Sequence, residues 1–349
     1  MHATRLQASN FRLFDKLDLD KLAPFTLLVG RNNVGKTAVL EAFVAALSRD
    51  PIVATATLDR ARELVPTRNA TTMEVFRTLF HKLEPNISEI VLKLSGPKLN
   101  RRVRIWTEQP AESSSVDAVN SGEPFEPDRD IHWAVDIDGA QVCKATAWRD
   151  PREQRTNRKW SGYDEAPNRV YLSTSMWLGD EFLDTFSQIK RMGGLQPILA
   201  VLKKLSSGLS DLQILTYGGQ PRLEARVGDV EMPIQLLGDG SVRTLTYLLA
   251  ATRAQGGFLM IDEIERGIHF EALVDVLVAL RRRAADAETQ IVATTHSDEC
   301  IRAVKSAFAD APEQWQLIRL TRDTQGAIEV AAPDADSTSS AIEFGMELR

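Results

Sequence analysis

Apolar and polar positions alternate through RLQASNFRLFDKLDLDKL and then give way, at PFTLLVG, to a short apolar run that stops at Gly30. Period-two alternation followed by an unbroken run predicts a strand pair feeding a buried strand. Beyond the glycine loop the period changes. Val39, Leu40, Phe43, Val44 and Leu47 recur at helical spacing, which predicts a helix from Lys36 to Ser48.

The centre of the chain reads less regularly. A helix is expected around TTMEVFRTLFHKL, and strands at EIVLKL, RRVRIW and IHWAVDID. The polar, Ser/Pro-rich, acidic stretch from Glu108 to Asp130 reads as a surface loop. WRDPREQRTNRKWSGYDEAPN reads as a second loop, before the buried strand RVYLSTS. From Gly179 the pattern is helical (EFLDTFSQIKRM, LQPILAVLKKLSSGL), and LQILTYGGQPRLEARVGDVEMPIQLL returns to short strands with glycine turns. A helix over Ser241 to Ala254 follows, then the strand GFLMIDE, the amphipathic helix FEALVDVLVALRRRAAD and the strand TQIVATTHS.

Strand, loop and helix at the start, matched by strand, helix and strand near the end, describe an α/β sheet. The expected division is 1–178, a first lobe with the glycine loop and polar insertions; 179–235, a helical and short-strand insertion; and 236–349, a second lobe. No internal repeat or sustained heptad is present, so no long coiled-coil arm is expected.

Composition narrows the class. A chain of 349 residues with 43% hydrophobic and 26% charged residues can bury a sizeable core without staples. Cys143 and Cys300 belong to no metal-ligand spacing and read as buried thiols in a reducing compartment. The N-terminus lacks a secretory pattern and no apolar window is long enough to span a bilayer, so a cytoplasmic location with no membrane partner is expected. The net charge of -6 argues against a surface wholly positive toward duplex DNA, while leaving room for a local basic groove.

Four segments carry chemistry. Gly30, Arg31, Asn32, Asn33, Val34, Gly35, Lys36 and Thr37 match G-x-x-x-x-G-K-[ST], with Ala38 next on the helix. Backbone N–H groups of such a loop wrap phosphate oxygens, Lys36 neutralises β/γ charge, and Thr37 offers a hydroxyl to Mg2+. In GGFLMIDEIERGIHF an apolar strand ends in Asp262 and Glu263, which suits Asp262 to the Mg2+ shell and Glu263 to the attacking water. TTHSDE ends another apolar strand at His296, a candidate γ-phosphate sensor. In LLGDGSVRTLTYLL, Gly238 and Gly240 flank a turn that opens a helix with Ser241 at its start, which suits anion binding.

These four elements, in this order, resemble the nucleotide-binding head of the ABC-type ATPases in their RecF, SMC and OLD-like branch. NFRLF resembles the opening of that branch, GRNNVGKTAVLEA its P-loop or Walker A, GDGSVR its degenerate signature, DEIERGIH its Walker B strand and the following turn, and TTHS its switch histidine. The resemblance covers residues 4–48 and 236–300. It implies a P-loop NTPase fold, an ABC-type head with an inserted helical and β middle region. It also implies a head-to-tail homodimer or higher homo-oligomer that sandwiches two ATP molecules with Mg2+. Lys36, Thr37, Asp262, Glu263 and His296 would act in cis, and Gly240 and Ser241 would reach the other subunit's γ-phosphate.

The sequence departs from the branch in three ways. The signature lacks the LSGGQ form of transporters, no Q-loop glutamine can be placed, and the segment after His296 is too short for the Toprim nuclease domain of OLD proteins. The resulting expectation is an ATPase whose ATP-dependent dimer is a conformational switch in antiphage defence or DNA-damage sensing, with a separate effector protein. The alternative is a DNA-binding repair or maintenance clamp of the RecF/SMC type. Nucleic acid is a candidate partner through WRDPREQRTNRKW, Trp148 to Trp160, whose arginines lie between two tryptophans. Arg281 to Arg283 read as a solvated helix face. A transporter subunit is the third class, disfavoured by the signature.

Overall fold

The structure is a computed structural model that describes residues 1–61, 71–84, 89–108, 130–150, 155–174, 180–324 and 326–333. In chain order its elements are β1 (Arg5–Phe11), β2 (Phe14–Leu19), β3 (Phe25–Val29), α1 (Lys36–Ala46), α2 (Pro51–Ala61), α3 (Thr72–Phe76), β4 (Ile90–Gly96), β5 (Leu99–Glu108), β6 (Asp130–Ile137), β7 (Ala140–Asp150), β8 (Arg155–Gly162) and β9 (Arg169–Leu172). There follow α4 (Leu183–Arg191), α5 (Leu195–Leu205), β10 (Leu209–Tyr217), β11 (Gln220–Val227), β12 (Val230–Pro233), α6 (Asp239–Arg253), β13 (Phe258–Ile261), α7 (Phe270–Asp286), β14 (Gln290–Thr294), α8 (Asp298–Ala307), β15 (Trp315–Arg322) and β16 (Ile328–Ala331). Among the described residues no helix is long and apolar enough to cross a membrane.

Contacts group the chain into two compact units. One comprises Met1–His2, Leu22–Leu40 and Asn168–Arg349, and the other Ala3–Lys21 and Glu41–Pro167. The first is built on a sheet in the order β16-β15-β3-β14-β13-β9, in which β15, β3, β14, β13 and β9 run parallel and β16 is an antiparallel edge. Strands β3, β13 and β14 are buried throughout, which explains their unbroken apolar runs. Phe186, Leu199, Leu212, Leu245, Leu277 and Ile301 share one core with these strands, so the elements between 180 and 237 pack into the same unit as the acidic strand. A three-stranded sheet β10-β11-β12 completes this unit.

The second unit is a seven-stranded antiparallel sheet in the order β2-β1-β4-β5-β6-β7-β8. Its strands alternate, with Leu6, Leu92, Val103, Ile131 and Ala145 buried. Arg101 is a buried charge within this sheet. It meets Asp164 through two bonds of 2.6 and 2.5 Å and donates to the Ala46 and Ser48 carbonyls, which tie down the end of α1. This matters because the last carbonyls of a helix have no partner within it.

The stretch beginning at Trp148 is corrected here. Trp148–Asp150 close β7 and Arg155–Gly162 form β8, so it is largely sheet, with 151–154 outside the described residues. Paired positions are Trp148 with Asn157 and Ala145 with Trp160, which puts the two tryptophans on opposite faces. Trp160 packs edge-on against Trp133 with ring centroids 5.1 Å apart, under the Arg49 guanidinium. The two rings therefore do not form one stacking platform. The expected helix around residues 71–83 is also shorter, one turn of α-helix followed by two 3-10 turns, with left-handed backbone at Lys82 and Leu83. Residues 109–129 of the expected acidic loop lie outside the described residues. Both cysteines are buried free thiols, as expected.

Candidate functional site

The carboxyl ends of β3, β14, β13 and β9 open at one edge of the parallel sheet, the position at which open α/β sheets hold ligands. After β3 the chain turns through Gly30 to Gly35. Gly30 has φ +145 and a Cβ there would collide with the Leu320 carbonyl oxygen, so only glycine fits. Gly35 and Asn33 are also left-handed, Val34 is buried beneath the loop, and α1 starts at Lys36. The Lys36 ammonium is held across the loop by the Gly30 and Arg31 carbonyls, 2.6 and 2.9 Å away. Burial pushes its pKa down, opposed by the charges of Asp262, Glu263 and Glu265.

Thr37 and Ala38 occupy the first turn of α1, and the Thr37 hydroxyl lies 3.0 and 3.2 Å from the two carboxylate oxygens of Asp262. Asp262 follows β13 directly. Its Oδ1 also accepts the Thr294 hydroxyl at 2.6 Å, while Thr294 Oγ1 accepts the Glu263 backbone N–H at 2.8 Å. Thr294 thus fixes both acids from the neighbouring strand. Glu263 has left-handed backbone, φ 50, and its carboxylate is partly exposed with Arg266 at 3.5 Å. A loop of backbone N–H groups, one ammonium, a hydroxyl paired with a carboxylate and a second carboxylate beside them can bind a polyphosphate and activate water.

His296 lies at the end of β14, and β14 pairs directly with β3. Its Nδ1 is 3.2 Å from Glu265 Oε1, which also accepts the His296 backbone N–H at 3.3 Å. Burial pushes the Glu265 carboxyl up, against nearby hydrogen-bond donors including the Thr295 hydroxyl and the His296 amide.

The turn before α6 follows the expectation only in part. Gly238 is left-handed with φ 90, and a Cβ on Gly240 would lie 2.9 Å from the Gly267 carbonyl oxygen, so this turn packs tightly on the turn after β13. Ser241 is 3% exposed and its hydroxyl lies 2.9 Å from that of Ser206. Ser241 faces inward because it falls on the buried side of α6, and Gly238 and Asp239 form the exposed part of the turn.

Several participants escaped the sequence reading. Thr294 resembled one more β-branched strand residue, and Glu265 a solvated turn residue. Arg322 at the end of β15 donates to the Asn33 carbonyl at 3.1 Å and supports the loop from a strand not anticipated. β9 pairs with β13, the Leu172 carbonyl accepts the Asp262 N–H at 2.9 Å, and the next residues are Ser173 and Thr174.

Comparison with known proteins agrees with this geometry. Residues 141–302 match the family described as "AAA domain, putative AbiEii toxin, Type IV TA system", and residues 5–83 match one described as "AAA domain". A protein of Helicobacter pylori (strain ATCC 700392 / 26695) named "ATP/GTP phosphatase" is 20% identical over 349 residues, covering 93% of each chain. Among solved structures, the SmcHead bound to the C-winged helix domain of ScpA superposes with a TM-score of 0.51 at 13% identity, over 97% of this chain and 100% of that one. The fold is a mixed α/β P-loop NTPase fold like that of the SMC head, with additional helical and β elements. The two AAA-domain matches, together with the P-loop, support an enzyme that binds and hydrolyses ATP.

Proposed function

We propose that this chain is the ATPase head of a RecF/SMC-type DNA-maintenance clamp, in which two copies close head to tail on two ATP molecules and hydrolysis reopens them. The observation that carries the reading is the Thr37–Asp262 hydrogen bond, which joins the P-loop to the acidic strand. A hydroxyl and a carboxylate are hard oxygen donors and fit Mg2+, which takes few protein ligands and completes its shell with phosphate and water. Thr37 and Asp262 would hold the ion, and the ion would draw charge from the phosphates.

Each side chain then has a task. The loop from Gly30 to Ala38 cradles the phosphates, and Lys36 exchanges its two loop carbonyls for β/γ oxygens. Glu263 takes a proton from the attacking water, and its fixed backbone N–H keeps the carboxylate aimed. His296 contacts the γ-phosphate. The N–H groups of the turn at Gly240 meet the nucleotide of the second copy, and Ser241 joins them only by giving up its bond to Ser206.

The likeness to an SMC head solved with a piece of ScpA supports a separate protein partner. A second reading, antiphage defence or DNA-damage sensing with a separate effector in the cytoplasm, is favoured by the toxin description of the family matched over 141–302. The test is the solution mass of Glu263→Gln with and without Mg-ATP, with a DNA fragment added in a parallel sample and Lys36→Ala as the non-binding control. Mass doubling with ATP and ATP-dependent co-elution of DNA are expected. Doubling without DNA transfers support to the effector reading, and a monomer under all conditions overturns the sandwich.

A further inference from the structure

Glu265 is a buried carboxylate that the hydrolysis scheme does not use. Its side chain is 13% exposed beside a His296 side chain that is 50% exposed. One oxygen, Oε1, serves both Nδ1 and the backbone N–H of His296, and Oε2 is buried, with the Thr295 hydroxyl the other donor beside the carboxyl. A largely buried carboxylate is unfavourable as an anion, so its placement against the ring of a candidate catalytic histidine calls for a chemical account.

Proton counting supplies one. A phosphate oxygen facing His296 only accepts, so the ring must present an N–H there. A neutral imidazole that donates Nδ1–H to a carboxylate leaves a lone pair at Nε2, which repels phosphate. One more proton on the pair removes the conflict wherever it resides. A protonated Glu265 donates to Nδ1 and leaves Nε2–H, and an ionised Glu265 beside imidazolium also leaves Nε2–H.

We propose that Glu265 and His296 share one proton as a unit and thereby keep an N–H at His296 Nε2 toward the γ-phosphate, which makes Glu265 a positioning residue for hydrolysis. The inference rests on the ATPase reading of the site. Burial raises the carboxyl pKa, which favours retention of the shared proton. The other titratable groups around the pair come from several elements: Lys36 on α1, Tyr247 on α6, Cys300 on α8, and Asp262, Glu263 and Arg266 near Glu265 in sequence. Asp298 and Glu299 follow His296 on α8. Tyr247, pushed up to about 12, and the Cys300 thiol, raised still further, stay neutral across the useful pH range.

The test uses the full chain with Mg-ATP over a pH series, beside histidine 15N NMR of the protein alone. Glu265→Ala is expected to lower kcat about tenfold or more with little change in KM, the scale seen when a partner that orients a functional histidine is lost. Glu265→Gln is expected to recover much of that loss, because its amide N–H donates to Nδ1 and leaves Nε2 protonated, at the cost of the bond that Oε1 accepts from the His296 backbone N–H. It also flattens the alkaline fall of the wild type, where the pair loses its proton. In the NMR experiment, the wild-type Nδ1 resonance, assigned with His296→Gln, shifts in Glu265→Gln. An unchanged His296 spectrum in Glu265→Gln, or wild-type pH profiles in both Glu265 variants, overturns the pairing. Failure of the ATPase reading is separate, since it is reported by Glu263→Gln hydrolysing ATP at the wild-type rate, and the NMR result does not depend on hydrolysis. If Glu265→Ala does not fold, the near-isosteric Glu265→Gln and its spectrum still decide.

Discussion

Thr294 donates its hydroxyl to Asp262 at 2.6 Å and accepts the Glu263 backbone N–H at 2.8 Å. One side chain on β14 thereby sets the positions of both acids that follow β13. Such a hydroxyl is a two-way connector, since its lone pairs and its proton are used by different partners.

Thr294→Val keeps the shape and removes both bonds. Because Thr294 is buried, the Glu263 N–H loses its partner without replacement, and a destabilisation of about 1–3 kcal/mol is expected. Urea unfolding of the nucleotide-free protein measures it. Hydrolysis should fall more steeply than ATP binding, because the groups displaced, Asp262 and Glu263, serve the ion and the attacking water while the P-loop stays in place. Equal losses in both would show that Thr294 supports the whole site.

Gly30→Ala tests the loop. Its backbone is left-handed and a Cβ would meet the Leu320 carbonyl oxygen, with the Val34 side chain at 2.9 Å. The loop must shift away from β15, and ATP affinity should drop at least about tenfold while the fold persists, a scale set by about 1.4 kcal/mol of lost binding. Isothermal titration with ATP and circular dichroism on one sample separate the two effects. Wild-type affinity would mean that the loop relaxes freely.

The buried Glu265 also predicts a pH dependence of stability. Its carboxyl is raised above the ordinary glutamate range, first by burial, against the Thr295 hydroxyl and the His296 amide. A raised pKa means the folded state binds the proton more tightly. The contribution is therefore complete below the unfolded value, about 4.3, and is lost as pH rises through the folded value. Glu265→Gln removes this loss. Its melting temperature should approach that of the wild type near pH 5 and exceed it increasingly toward pH 8. A constant difference across that range would refute the linkage.

What the sequence disclosed follows from how local each signal is. The P-loop, Asp262, Glu263 and His296 each terminate an apolar run, and β3, β13 and β14 are buried on both faces, so the runs are unbroken and easily read. β8 and the end of β7 read as a loop because polar and charged residues at their exposed positions hide the alternation. The burial of Ser241 is not legible in sequence, because a capping position and a buried first-turn position look the same without knowing which side of α6 meets the core. Thr294 and Glu265 acquire meaning only from strand order, since each acts on a residue that is distant in sequence.

The second unit offers a test of a different kind. Arg101 and Asp164 are both almost wholly buried, and Arg101 also donates to the Ala46 and Ser48 carbonyls at 2.7 and 2.8 Å. Asp164→Ala leaves the guanidinium charge buried with only backbone partners, and a loss of about 3–5 kcal/mol is expected. Arg101→Met combined with Asp164→Leu removes both charges, so the double variant should be more stable than Asp164→Ala alone. It should still fall short of the wild type, because the two carbonyls that Arg101 satisfied at the end of α1 are left without it. A double variant as stable as the wild type would assign the value of Arg101 to its partner Asp164 alone. One no better than Asp164→Ala would assign that value to the helix end, the part of α1 most distant from Lys36 and Thr37, and hydrolysis rates of the two variants would then report whether that anchor is felt at the P-loop.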